Sequence, residues 1–145
     1  MNTIRVKKVR ENARIPSYGS AEAAGADLYA CLETAVTIQP GETAWIPTGI
    51  ALEVPKGCAG LIYARSSLGT KRGLAPANKV GVVDSDYRGE IQMVLYNHSQ
   101  SVQTVDNGER IAQFLITPVL TPQYVEVSEL SDTERGTGGF GSTGA

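Results

Sequence analysis

Five short stretches hold residues whose types and spacing suit chemistry on a phosphorylated ligand. The first, Ala24-Gly25-Ala26-Asp27-Leu28, sets one carboxylate among small residues that let another chain or a ligand approach the backbone closely. The second is Arg65-Ser66-Ser67-Leu68-Gly69, and the third runs from Asn78 through Gln92 around Asp84, Ser85, Asp86, Tyr87 and Arg88. The fourth is Gly108-Glu109-Arg110-Ile111-Ala112-Gln113, and the last is the tail from Arg135 through Gly144. Three of them join an arginine to hydroxyl, amide or glycine neighbours, a combination that matches phosphate oxygens through the planar guanidinium and spare N–H donors. The third joins a carboxylate and an aromatic ring at a turn, which suits a base and a sugar. Asp27 reads either as a turn-capping residue or as a site acid.

The third stretch is where the pattern is densest. Val80, Val82 and Val83 before the polar knot, and Ile91 to Tyr96 after it, favour extended backbone. Asp, Ser and Gly supply turn chemistry between them, with Gly81 and Gly89 marking close or unusual backbone approach. The expectation is a β-hairpin carrying exposed peptide groups that read the edge of a small planar ligand, against the plainer reading of a surface hairpin. The tail holds five of the sixteen glycines, at 136, 138, 139, 141 and 144. It reads as a disordered strip, or as a lid in which Arg135, Phe140, Ser142 and Thr143 close on bound substrate.

The elements that must position these residues are short strands. Thr3–Val9 suggests an edge strand, Thr34–Gln39 a short alternating one, and Thr43–Val54 a longer one interrupted at Pro47 and Gly49. Gly60–Ala64 reads as a buried strand, and Arg110–Pro118 and Gln123–Val127 as two more. Pro16–Ala24 reads as a loop. One short helix is expected, capped by Ser66 and Ser67 and running through Thr70 and Arg72. Many strands between Gly/Pro turns, with no repeat and no sustained helical period, make the chain all-β: a sandwich, jelly roll or barrel. At 145 residues it is one domain.

Composition narrows the chemistry further. A net charge of −2 exerts no global pull on nucleic acid or an acidic membrane, so any polyanion site is local. Cys31 and Cys58 are too far apart for a metal pair and read as reduced, buried small hydrophobes. His98 is the one histidine, following a strand, and reads as a surface residue. No Walker-type or Rossmann-type glycine motif is present, which removes those routes to phosphate. The first ten residues carry no hydrophobic run, so the expected setting is the cytoplasm, with no membrane partner.

Taken in order, the five stretches resemble the five motifs of the homotrimeric deoxyuridine triphosphate nucleotidohydrolases (dUTPases), over nearly the whole chain. Each motif alone is weak; all five in sequence are specific. The resemblance implies a distorted jelly-roll subunit (residues 1–134) with a flexible glycine-rich lid (135–145), three to a ring, the C-terminal arm swapped to a neighbour. It implies Mg²⁺-dependent hydrolysis of dUTP to dUMP and pyrophosphate, which keeps uracil out of DNA and supplies dUMP for dTMP synthesis. Asp84 matches the carboxylate that activates the water attacking the α-phosphorus. Asn78 and the backbone at Val82 and Val83 match the uracil-reading groups, Tyr87 the ring that excludes a 2′-hydroxyl, and Gln92 a further contact. Arg65, Ser66, Ser67 and Gln113 match phosphate ligands. Arg135, Ser142 and Thr143 match groups that close on the γ-phosphate while Phe140 stacks on uracil. No side chain is expected to ligate the metal directly, which rides on phosphates and water with Asp27 in its water shell or holding site residues.

Two other readings share the scaffold. A dCTP deaminase would place a glutamate on the strand after the third stretch, where Val94 stands and can move no proton. A non-catalytic nucleotide sensor would be expected to lack Asp84 or the tail, and both are present.

Overall fold

The computed structural model describes residues 3–142 and 144, so the Thr143 assignment lies outside the described residues. Among the described residues twelve strands follow one another with a single helical turn between them. They are β1 (Val6–Lys8), β2 (Ser17–Tyr18), β3 (Ala26–Tyr29), β4 (Val36–Ile38), β5 (Thr43–Pro47) and β6 (Ile50–Leu52). Then come β7 (Cys58–Tyr63), the helical turn Ser67–Arg72, β8 (Leu74–Pro76), β9 (Gly81–Val83), β10 (Gln92–Asn97), β11 (Gln103–Val105) and β12 (Arg110–Pro118). All ladders are antiparallel. One sheet has five strands in the order β2-β3-β12-β7-β9; a second has three, β5-β10-β8; β1 pairs β6, and β11 pairs β4. This is the expected all-β, jelly-roll-like subunit with one short helix.

Alternation along the strands builds the core between the sheets. On β10, Met93, Leu95 and Asn97 are buried while Gln92, Val94 and Tyr96 face outward. On β12 a bulge between Arg110 and Ala112 breaks the period, which is why the consecutive Ile111 and Ala112 are both buried. Leu28, Ile46, Ile50, Leu74 and Leu95 are wholly enclosed in the same cluster. Gly60 lets the Phe114 ring lie across β7: a Cβ there would meet the ring at 2.3 Å.

Several expectations are corrected. The interruption at Pro47–Gly49 is real, but it sends β5 and β6 into different sheets. Gln123–Val127 forms no strand; Tyr124 and Val125 are exposed because the described chain offers that segment no pairing edge. Ser17–Tyr18, inside the segment read as a loop, adds a short edge strand to β3. The helix is a π-type turn; Ser66 stands at its N-cap without a side-chain capping bond, and left-handed Gly73 closes it through Leu68 O. Cys31 and Cys58 are free thiols, the first buried and the second half-buried, and His98 is exposed against Tyr96. Among the described residues no helix is long and apolar enough to cross a membrane.

One buried polar residue ties the three-stranded sheet to its neighbours. Asn97 has no exposed surface, and its Nδ2 donates to Ile38 O (2.9 Å) and Ser101 O (2.8 Å). Its Oδ1 accepts from Ser99 N–H (3.0 Å) and Ser99 Oγ (2.7 Å). Both donors and both acceptor lone pairs are satisfied. Asn97→Ala should therefore cost about 2–4 kcal/mol by orphaning these partners. A drop in urea midpoint with unchanged slope would show it; an unchanged midpoint would mean the network is dispensable.

Candidate functional site

Strands β9 and β10 do not pair with each other. β9 is bonded to β7, and β10 to β5 and β8, so the expected hairpin opens into a cleft between two sheets. The cleft holds about 320 Å³, within the ~300–1,000 Å³ range of small-molecule sites. Asn78, Gly81, Val82, Val83, Asp84, Tyr87 and Gln92 all line it. An adjoining hollow of about 460 Å³ shares Trp45, Ile62, Asn78, Gly81 and Gln92 with it. The structure thus brings the third stretch together around one concavity, with exposed backbone on one wall.

The turn leading into the cleft is strained. Lys79 has φ of 70°, with its own N–H on Pro76 O (3.0 Å) and Val80 N–H on Asn78 O (2.8 Å). That is a γ-turn with positive φ at a residue with a side chain, a conformation that costs about 1–3 kcal/mol. It holds Asn78 at the cleft's edge. At the other end, Tyr87 N–H bonds to Asp84 O (3.2 Å) in a turn that leaves Asp84 exposed at the rim. The Tyr87 ring folds back over Gly89, where a Cβ would sit 2.4 Å from the phenol oxygen, and its hydroxyl donates to Glu90 O (2.9 Å).

A second group forms where β3, β12 and β7 lie side by side. Gln113 is opposite both Asp27 and Tyr63 in the ladders. Asp27 is buried inside β3, not capping a turn. Its Oδ1 accepts from Arg65 Nε at 2.8 Å, and its Oδ2 lies 3.6 Å from Arg110 Nη1. Arg65 Nη1 also donates to Ser67 Oγ (3.2 Å), and Gln113 Nε2 to Ala64 O (2.9 Å). Gly25 lies against Gln113, so that a Cβ there would displace the Gln113 amide, coming within 2.7 Å of its Oε1. Two guanidiniums against one carboxylate leave a local positive excess suited to an anion. Ser66 and Ser67 are exposed beside it.

The two groups are not joined within one chain. Asp84 follows the Gly60–Val83 pair at one end of β7, whereas Arg65 lies past Tyr63 at the other. Five residues from Gly60 to Arg65 span roughly 16 Å at about 3.3 Å each. The tail joins neither. Arg135 Nε donates to Gly138 O (2.7 Å), Ser142 N–H to Gly139 O (3.1 Å), and Phe140 stands fully exposed at φ 52°.

Sequence reasoning missed three participants. Trp45, 70% exposed, was read only as a strand residue, yet it walls both hollows opposite Val94 in the ladder. Glu90 lay within the third stretch without a role; it lines the cleft and takes Arg10 Nε on both carboxylate oxygens, at 2.6 and 3.0 Å. That hydrogen bond raises the Arg10 guanidinium above its ordinary value. Only Trp45 carried a signal, as the single tryptophan in the chain.

Among the described residues no three His, Cys, Asp or Glu side chains converge as metal ligands. The acids at the two groups are the exposed Asp84, Glu90 paired with Arg10, and the doubly paired Asp27. That donor set fits a Mg²⁺ ion carried mainly by phosphate oxygens and water rather than by a protein cage.

The dUTPase family model matches residues 11–144. A deoxyuridine 5'-triphosphate nucleotidohydrolase of Hydrogenobaculum sp. is 48% identical over 139 residues, 96% of each chain. One from Nautilia profundicola is 48% identical over 141 residues, covering 97% of this chain and 98% of its own. The dUTPase of Staphylococcus bacteriophage 80alpha, solved with dUPNHPP, has a TM-score of 0.90 at 30% identity, covering all of both chains. A dUTPase of S. aureus phage phi11, described with a structural Mg(II) ion, has a TM-score of 0.81 at 25% identity, covering 90% of this chain and 100% of its own. With its five motifs disposed on a matching all-β subunit, the chain belongs to the dUTPase family.

Proposed function

We infer that the chain hydrolyses dUTP to dUMP and pyrophosphate, with Asp84 as the base that activates the attacking water. The observation that carries this is the cleft between β9 and β10, with Asn78, the β9 backbone, Tyr87 and Gln92 on its walls and Asp84 at its rim. Asn78 and the peptide groups at Val82 and Val83 pair with the uracil edge. The fixed donors and acceptors of the strand backbone match uracil and mispair cytosine. Tyr87 lies against the deoxyribose where a 2′-hydroxyl would collide with its ring. The Asp84 carboxylate accepts a proton from water as the water oxygen bonds to the α-phosphorus, and the bond to the bridging oxygen of pyrophosphate breaks. A base so placed contributes roughly 10²–10⁴-fold.

Arg65, Ser66, Ser67 and Gln113 bind the phosphate chain; Asp27 holds Arg65 in place rather than touching substrate. A bound Mg²⁺, held by phosphate oxygens and water, would neutralise charge on the phosphate chain; both Asp27 oxygens are engaged by Arg65 and Arg110, so Asp27 acts there by holding Arg65. The half-buried Val94 position bears no acid, which argues against deamination.

The active unit is a homotrimer. Its support is the separation of Asp84 from Arg65 along β7, which one chain does not close, together with an apolar arm beyond β12. Leu120, Tyr124 and Leu130 on that arm are 93%, 93% and 87% exposed. The arm lies on a neighbour and carries residues 135–145 toward that neighbour's cleft, where Arg135, Ser142 and Thr143 close on phosphate and Phe140 covers uracil. The β domain is thus residues 1–134 and the tail is its lid.

Asp84→Asn should retain dUTP binding and lose at least about 100-fold in kcat, because an amide takes no proton from water. Pyrophosphate release in single turnover measures this; a near-normal kcat would remove Asp84 from its role. A chain ending at Glu134 should keep its urea midpoint and lose most of its kcat/KM for dUTP, since the tail packs against nothing in the core. Loss of folding on truncation would make the tail structural. Sedimentation equilibrium of the intact chain should give three times 15.4 kDa; a monomer mass with full activity would refute the shared site.

A further inference from the structure

We propose that the Arg10–Glu90 ion pair is a clamp that seats Tyr87 and thereby sets discrimination between deoxyribose and ribose. The proposal rests on the reading of Tyr87 given above. The Tyr87 ring lies over the bare backbone of Gly89, and its hydroxyl donates to the carbonyl of Glu90 at 2.9 Å. Both belong to the segment just before β10, so the ring is as well placed as that segment is.

Two attachments hold the segment, and they meet at one turn. Ile91, next to Glu90, donates its N–H to Ile50 O (2.8 Å), and its carbonyl accepts Thr48 N–H (3.2 Å) and the Thr48 hydroxyl. Val9 and Arg10 donate their N–H groups to Gly49 O, at 2.7 and 3.3 Å. The turn Thr48-Gly49-Ile50 thus carries the backbones of both partners. The Arg10 side chain completes the loop by gripping the Glu90 carboxylate with Nε, at 2.6 and 3.0 Å. Glu90 is 12% exposed and Arg10 49% exposed, so the pair closes the flank of the cleft from outside while Glu90 lines its interior. Without Arg10 the carboxylate would turn to water, and the Gly89–Glu90 backbone on which the ring rests would be held from the Ile91 side alone. A ring held less firmly yields to a 2′-hydroxyl but still packs against deoxyribose, so the effect falls on selectivity.

The test compares kcat/KM for dUTP with that for UTP in the full-length protein. Arg10→Ala and the isosteric Glu90→Gln should each lower the dUTP:UTP ratio about threefold to tenfold, mainly through a lower KM for UTP. The reversed pair Arg10→Glu/Glu90→Arg should restore part of the loss, which a packing defect would not. Tyr87→Ala provides the reference and should lower the ratio further. If Tyr87→Ala lowers the ratio while neither clamp variant does, the clamp is overturned and the reading of Tyr87 stands. If Tyr87→Ala leaves the ratio unchanged, both are overturned.

Discussion

Strand β9 takes its hydrogen bonds from β7, and β10 takes its own from β5 and β8, so the residues between them must cross from one sheet to another with no ladder to follow. Backbone that crosses in this way cannot satisfy all its polar groups internally, and groups near the surface remain available to a ligand. The cleft is the gap left by that crossing. Its floor is close-packed, since Gly81 approaches Ile62 to the point where a Cβ would lie 3.2 Å from the Ile62 Cβ. Its rim is polar because the crossing residues are Asp84 to Glu90. A hairpin with a regular ladder would have closed the same surface on itself.

The electrostatic half of the site is prepared differently. Asp27 gives up its solvation to sit within β3 and is compensated by Arg65 and Arg110, with Arg65 only 22% exposed. Holding the guanidinium in advance reduces the ordering cost when an anion arrives. Gln113 is held in the same manner by Ala64 O. In the tail, by contrast, the arginine is engaged only in a local turn and the aromatic ring is bare. Rigid donors on strands bind; a glycine-rich strip that can exchange its local bonds for a ligand's closes.

Stability and function are distributed unevenly over the fold. The enclosed aliphatic cluster holds the sheets together, and the saturated Asn97 network ties β10 to β4 and to the turn that follows β10. Strain appears at the cleft, where Lys79 is forced to positive φ next to Asn78. The Thr48–Ile50 turn links these regions, since it bonds both the N-terminal segment and the strand that leaves the cleft.

The sequence by itself determined the fold class, the five functional stretches and the strands whose alternation or apolar run is strong, such as β7, β10 and β12. Those features are local: a side chain's preference for extended backbone, and an arginine's fitness for phosphate, travel with the residue. Pairing is not local. Only the tertiary structure decided that the third stretch opens into a cleft, that Asp27 is buried as an ion-pair partner rather than capping a turn, and that Gln123–Val127 has no strand to join in the described chain. It alone brought Trp45 to the cleft wall and Arg10 onto Glu90, eighty positions away. Such contacts depend on which edges meet when the core closes, and a single chain's pattern of residue types carries no record of that choice.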